Sequence, residues 1–145
     1  MKKVLFLCTG NYYRSRFAEY LFNDLARKRE LDWVADSRGL GLDRGIKTIG
    51  PISWFTAIEL RLRGINLDND ERFPIQVQEE DFQTADIVIA VNETEHLPFI
   101  VERFAKWQHK IEYWLIGDSH RVFPPIALRQ LEKKAEELID QLAEN

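Results

Sequence analysis

Three observations predict an α/β fold, a four-stranded parallel sheet flanked by helices on both faces, with a phosphate-binding loop after the first strand. Short unbroken apolar runs, Val4-Leu5-Phe6-Leu7 and Ile87-Val88-Ile89-Ala90-Val91, fit strands covered on both sides. Helical stripes fall between the runs, and that alternation implies right-handed crossovers between parallel strands. The turn after the first run holds Cys, Gly, Asn, Arg and Ser together, where open sheets of this class build their ligand sites.

The elements follow in order. Val4 to Leu7 is the first strand, and Phe17, Leu21, Phe22 and Leu25 recur at helical spacing directly after it. Trp33 to Ser37 is a weaker strand. Pro51, Phe55, Ile58 and Leu62 mark a second helix, with Pro51 in its first turn and Gly64 as its stop. Ile87 to Val91 is the third strand, followed by a shorter helical pattern through Leu97, Ile100, Val101 and Phe104. Ile111 to Leu115 is the fourth strand. Beyond the Pro124-Pro125 breaker, Leu128, Leu131, Ala135, Leu138 and Leu142 form the clearest stripe, with Glu132, Lys133, Lys134, Glu136 and Glu137 as its wet face. No repeat or low-complexity linker divides the chain, so residues 1–145 read as one domain.

Composition narrows the function. A net charge of −4 argues against a dedicated nucleic-acid binder. No apolar run is long enough to span a bilayer, and the run after Met1-Lys2-Lys3 is shorter than a secretory core. One cysteine allows no intrachain disulfide, so a reducing, cytoplasmic setting is expected. One Cys and three scattered His (His96, His109, His120) make no metal set; no metal or cofactor is expected, and the histidines read as surface or structural residues. His120 merits a test for its nearness to Asp118.

Cys8-Thr9-Gly10-Asn11-Tyr12-Tyr13-Arg14-Ser15 carries the chemistry. The backbone N–H groups of Thr9 through Arg14, running from a strand into a helix, can converge on one anion while the helix N-terminus adds positive potential. Gly10 supplies freedom for the tight turn, and the Arg14 guanidinium matches two phosphoryl oxygens. The same field should hold Cys8 as a thiolate, the form that attacks. Ser15 can donate to the sulfur, and Asn11 can brace the loop. A lone cysteine at a strand end is more often inert core; the five residue types in one strand-to-helix turn favour the functional reading. Tyr12 and Tyr13 serve equally as pocket walls stacking on an aromatic leaving group or as packing. Trp54 reads as core, with a wall as the second reading.

The stretch from Val4 to Glu19 resembles the N-terminus of the low-molecular-weight protein tyrosine phosphatases, a hydrophobic strand running into Cys-x-Gly-Asn-x-x-Arg-Ser and then a helix containing Ala-Glu. Asp36-Ser37-Arg38-Gly39, Gly64-Ile65 and Ala85 to Ala90 resemble later segments of the family. The resemblance implies Cys8 as nucleophile, Arg14 as phosphate clamp, and Asn11 and Ser15 as loop supports. It also implies a general acid after the fourth strand, for which Asp118 is the match, although Gly117-Asp118-Ser119 is also plain turn chemistry. Five positions depart from the family pattern. Ser119 stands for a proline, His120 and Arg121 for tyrosines, Tyr13 for a frequent second cysteine, and Asp70 lies near the position of a bracing histidine. Without the second cysteine, Cys8 has no vicinal partner to shield it from over-oxidation.

The leading expectation is hydrolysis of phosphomonoesters, with a phosphorylated protein (phosphotyrosine first) or a small phosphomonoester as substrate. Arsenate reduction with an external thiol, and a catalytically silent phosphate-binding or interaction module, are the alternatives.

Overall fold

The computed structural model describes residues 1–67 and 71–144. Four parallel strands, β1 (Lys2–Cys8), β2 (Trp33–Gly39), β3 (Ile87–Ala90) and β4 (Ile111–Tyr113), lie in the order β2-β1-β3-β4. Helices α1 (Arg14–Lys28), α2 (Trp54–Leu62), α3 (Glu79–Thr84), α4 (Glu93–Arg103) and α5 (Pro124–Ala143) cover it. Alternation along β1 divides the core. Val4, Phe6 and Cys8 face one cluster with Phe17, Phe22, Leu128 and Leu131 of α1 and α5. Leu5 and Leu7 face the other, with Phe82 of α3 and Ile100 of α4. Each face removes large apolar side chains from water, about 1.5–3 kcal/mol apiece.

The predicted strands and the stripes of α1 and α5 hold, with trimmed ends. β2 runs on to Gly39, β3 stops at Ala90 and β4 at Tyr113. Helix α2 begins at Trp54, so Pro51 lies ahead of the helix and not in its first turn. Gly64 does stop the chain there, at φ 78°. The short α3 has no counterpart among the predicted elements. Its six residues bury one apolar side chain, Phe82, and periodicity needs a longer run. Trp54 is 70 % exposed, so it belongs to no core and lines no wall of the cleft described below.

The order β2-β1-β3-β4 means the chain leaves β1 in one direction and later returns to its other side at β3. The carboxyl end of β1 is therefore the switch point where such sheets leave a crevice. Cys8 is the last residue of β1 and Arg14 the first of α1.

Candidate active site

The loop between β1 and α1 is tied outward by its carbonyls. Cys8 O accepts from Leu40 N at 2.9 Å, Thr9 O from Gly41 N at 3.0 Å, Tyr12 O from Ser53 N at 2.9 Å, and Tyr13 O from Thr56 Oγ1 at 2.8 Å. Its donors are spared. Among the described residues, no backbone N–H from Thr9 to Arg14 meets a protein acceptor, and no side chain caps α1. Buried N–H groups are almost always paired, so a run of spared donors at a helix start suits an anion.

The tight turn falls on Asn11, at φ 51°, and not on Gly10, which is outside the left-handed region. Asparagine tolerates that conformation better than most side chains, and here its amide is fully used. Nδ2 donates to Ser15 Oγ and Ser37 Oγ, both at 2.9 Å. Oδ1 accepts from Arg72 Nη1 at 2.9 Å and Ile75 N at 3.1 Å. Close approach belongs to Gly39 instead, where a Cβ would lie 3.0 Å from Thr9 O and 3.2 Å from Asn11 Cβ. Arg72 also donates to Glu19 Oε1 at 3.2 Å and Ser37 O at 2.8 Å, binding α1, β2 and the loop together. Asp70 lies outside the described residues.

Cys8 is 3 % exposed, and its Sγ lies 2.9 Å from Ser15 Oγ. Arg14 is 2 % exposed, and its five N–H donors divide cleanly. Nη1 gives one to Ile116 O at 2.7 Å and one to Glu95 Oε1 at 3.2 Å; Nη2 gives one to Glu95 Oε2 at 2.7 Å. Nε has no partner. The remaining donors, Nε–H and the second Nη2–H, are parallel on one edge, the fork that grips two oxygens of one anion. Burial opposes the charge on Arg14, but the Glu95 hydrogen bond outweighs it with help from Cys8 and Asp118, and the guanidinium stays protonated.

A cleft of about 300 Å³ opens over these groups. Cys8, Thr9, Gly10, Tyr12, Tyr13 and Arg14 line it together with Asp118 and Ser119 from the loop after β4. Asp118 Oδ2 is 3.7 Å from Arg14 Nη2 and 3.7 Å from His120 Nδ1, while Oδ1 accepts from Ser119 N at 2.8 Å. Both tyrosines border the cleft. Tyr12 donates to Ile49 O at 2.5 Å. Tyr13 is mostly packing, edge-on to Phe55, and burial pushes its hydroxyl up to about 12. Among the described residues no group of three or more His, Cys, Asp or Glu could hold a metal ion.

His96 is wholly buried against the loop. Nδ1 accepts from Asn92 N at 3.1 Å, and Nε2 faces Thr9 Oγ1 at 3.1 Å. Burial, then the charge of Arg14, lower its pKa from 6.5 to about 3. Between those values the unfolded chain takes a proton that the folded protein refuses. This stability is complete above pH 6.5 and is lost as pH falls toward 3, by roughly 1.4 kcal/mol per pH unit in mid-window. Urea midpoints measured from pH 7 to 4 should fall more steeply for the wild type than for His96→Asn. Parallel curves would contradict the assignment.

The chain matches the family model described as low molecular weight phosphotyrosine protein phosphatase over residues 3–145. It is 39% identical over 94 residues to the low molecular weight protein-tyrosine-phosphatase YfkJ of Bacillus subtilis, covering 63% of this chain and 57% of that relative. The aligned stretch thus spans little more than half the relative's length. A protein-arginine-phosphatase of Bacillus subtilis is 27% identical over 148 residues, covering 97% of this chain and 93% of that one. The crystal structure of YfkJ from Bacillus subtilis superposes with a TM-score of 0.83 at 27% identity, over 99% of this chain and 96% of that chain.

Proposed function

This chain belongs to the low molecular weight phosphotyrosine protein phosphatase family, and from that membership we propose that it hydrolyses phosphomonoesters, phosphotyrosine foremost, through a phosphocysteine intermediate. One observation carries the reading: Cys8 and Arg14 line one cleft with Thr9, Gly10, Tyr12 and Tyr13, in a loop whose backbone donors from Thr9 to Arg14 have no protein acceptor among the described residues and whose Arg14 Nε has no partner. Cys8 Sγ attacks phosphorus in line, the bond from phosphorus to the ester oxygen breaks, and Asp118 supplies that oxygen with a proton. Water then attacks the phosphocysteine, Asp118 takes its proton, and inorganic phosphate leaves the regenerated thiolate. Ser15 steadies the sulfur in both steps, and Asn11 holds the loop. Arg14 and the amides stabilise the equatorial oxygens, where charge accumulates.

A cytoplasmic setting, where the lone thiol stays reduced, belongs to the same reading, as does a single catalytic unit over residues 1–145. Among the described residues no helix is long and apolar enough to cross a membrane. Phosphoarginine is the second substrate reading, favoured by the full-length likeness to the protein-arginine-phosphatase. The test is a panel of p-nitrophenyl phosphate, phosphotyrosine, phosphoserine and phosphoarginine peptides, with acid quench to trap labelled enzyme. Stoichiometric phosphate on Cys8 and preference for phosphotyrosine are expected. Arsenate-dependent consumption of an external thiol without ester hydrolysis would point to the reductase instead, and phosphate binding without turnover to the silent module.

A further inference from the structure

The Arg14 fork can face the cleft only because its other edges are occupied, and the occupant comes from a distant element. Glu95 is the third residue of α4, 81 positions from Arg14. Its two carboxylate oxygens take the end-on edge of the guanidinium, at 3.2 Å to Nη1 and 2.7 Å to Nη2. This bidentate grip fixes the plane of the guanidinium as well as its place. Ile116 O takes the last Nη1 proton, which leaves only the Nε/Nη2 edge.

Glu95 is itself held. Its backbone N–H donates to Asn92 Oδ1 at 3.0 Å, and Asn92 Nδ2 donates to Ile116 O at 3.0 Å. The carbonyl that receives Arg14 is therefore tied to the helix that carries Glu95. On the other side stand His96 and Thr9. With Nδ1 of His96 accepting from Asn92 N, the proton of the neutral ring sits on Nε2. That nitrogen lies 3.1 Å from Thr9 Oγ1 and 3.4 Å from Glu95 Oε2. The Thr9 hydroxyl is then free to donate its own proton to Glu95 Oε2, at 3.4 Å. Thr9 is the first residue of the phosphate-binding loop, so loop and guanidinium are set by the same carboxylate.

We propose that Glu95 is a positioning residue for phosphoryl transfer: its carboxylate, steadied by Thr9 and His96, turns the Nε/Nη2 edge of Arg14 toward the phosphoryl oxygens. The proposal rests on the phosphatase reading above. It assigns Glu95 no contact with substrate and no proton transfer. Geometry of this kind matters most when charge spreads over the equatorial oxygens, so kcat should suffer more than KM.

Glu95→Gln keeps the size of the side chain but offers one acceptor and one donor where Arg14 needs two acceptors. With p-nitrophenyl phosphate its kcat should fall about tenfold or more, with KM within about threefold. Its dependence on leaving group should match the wild type, because protonation belongs to Asp118. Coupling is the decisive readout. In an Arg14→Lys background, which has no fork to aim, Glu95→Gln should cost little further. Thermal unfolding checks that each variant is folded. If Glu95→Gln does not fold, Glu95→Asp, a methylene too short to span both nitrogens, should show the same loss in kcat. Equal losses in the wild-type and Arg14→Lys backgrounds, or an unchanged kcat, would overturn the proposal. Calorimetric binding of inorganic phosphate separates the two levels. A wild type that binds phosphate yet turns over no ester would sink the phosphatase reading, and weaker phosphate binding by Glu95→Gln would then leave Glu95 only as the residue that orients Arg14 on a bound anion, whereas phosphate bound equally by both would remove that role too.

Discussion

Replacing Cys8 by serine should abolish turnover of p-nitrophenyl phosphate, by on the order of 10^4-fold or more, the scale on which removing a covalent nucleophile acts. The expectation rests on the difference between the two atoms, since the pocket barely changes. A serine hydroxyl remains protonated at neutral pH, and the side chain hydrogen-bonded to Sγ is the Ser15 hydroxyl at 2.9 Å, which is no base. Among the described residues no carboxylate or imidazole hydrogen-bonds to that atom, so the oxygen would stay a poor nucleophile. Binding should survive. The spared amides of Thr9 to Arg14 and the free edge of Arg14 owe nothing to the sulfur, and Cys8→Ser should still take up inorganic phosphate. Loss of catalysis with retained phosphate affinity separates a missing nucleophile from a collapsed loop. Residual activity within about tenfold of wild type would mean that turnover does not depend on the sulfur, and the phosphocysteine route would fall.

The sequence is legible where structure is local. The loop from Cys8 to Ser15 is contiguous, and its strand-to-helix setting follows from patterns in its immediate neighbours. The apolar runs of β1 and β3 and the stripe of α5 announce themselves because burial imposes a period on adjacent residues. Support for the loop is not legible in this way. Arg72 reaches Asn11 across 61 positions, and Glu95 reaches Arg14 across 81; no spacing rule links them. A charged residue near a helix start usually reads as dipole complementation, which hides Glu95. Backbone freedom alone points to Gly10 for the left-handed turn, whereas the molecule places it on Asn11, whose side chain gains four hydrogen bonds there. Trp54 illustrates the opposite error. Its place in a helical pattern suggests burial, but α2 is short and amphipathic spacing does not reveal which rim residues stay wet.

Asp118→Ala should slow phenyl phosphate by roughly 10²- to 10³-fold, while first-step attack on p-nitrophenyl phosphate falls far less. An unactivated phenolate leaves badly without a proton, and p-nitrophenolate needs little help. One oxygen of the carboxyl is hydrogen-bonded to its own loop and, among the described residues, the other is not. Oδ1 is anchored on Ser119 N at 2.8 Å, while Oδ2 points toward the cleft, 3.7 Å from Arg14 Nη2. The absence of a proline at residue 119 does not loosen it, because Asp118 O accepts from both Arg121 N and Val122 N at 2.9 Å and closes the turn by backbone alone. In the proposed mechanism the same group activates water in the second step, so the variant should accumulate phosphocysteine with activated substrates. A burst of one nitrophenolate per enzyme, followed by a slow steady state, is the signature to look for in rapid mixing. A leaving-group dependence equal to that of the wild type, with no burst, would remove Asp118 from both steps. His120, with its side chain 68 % exposed and Nδ1 3.7 Å from Asp118 Oδ2, would then be the next residue to test as proton donor.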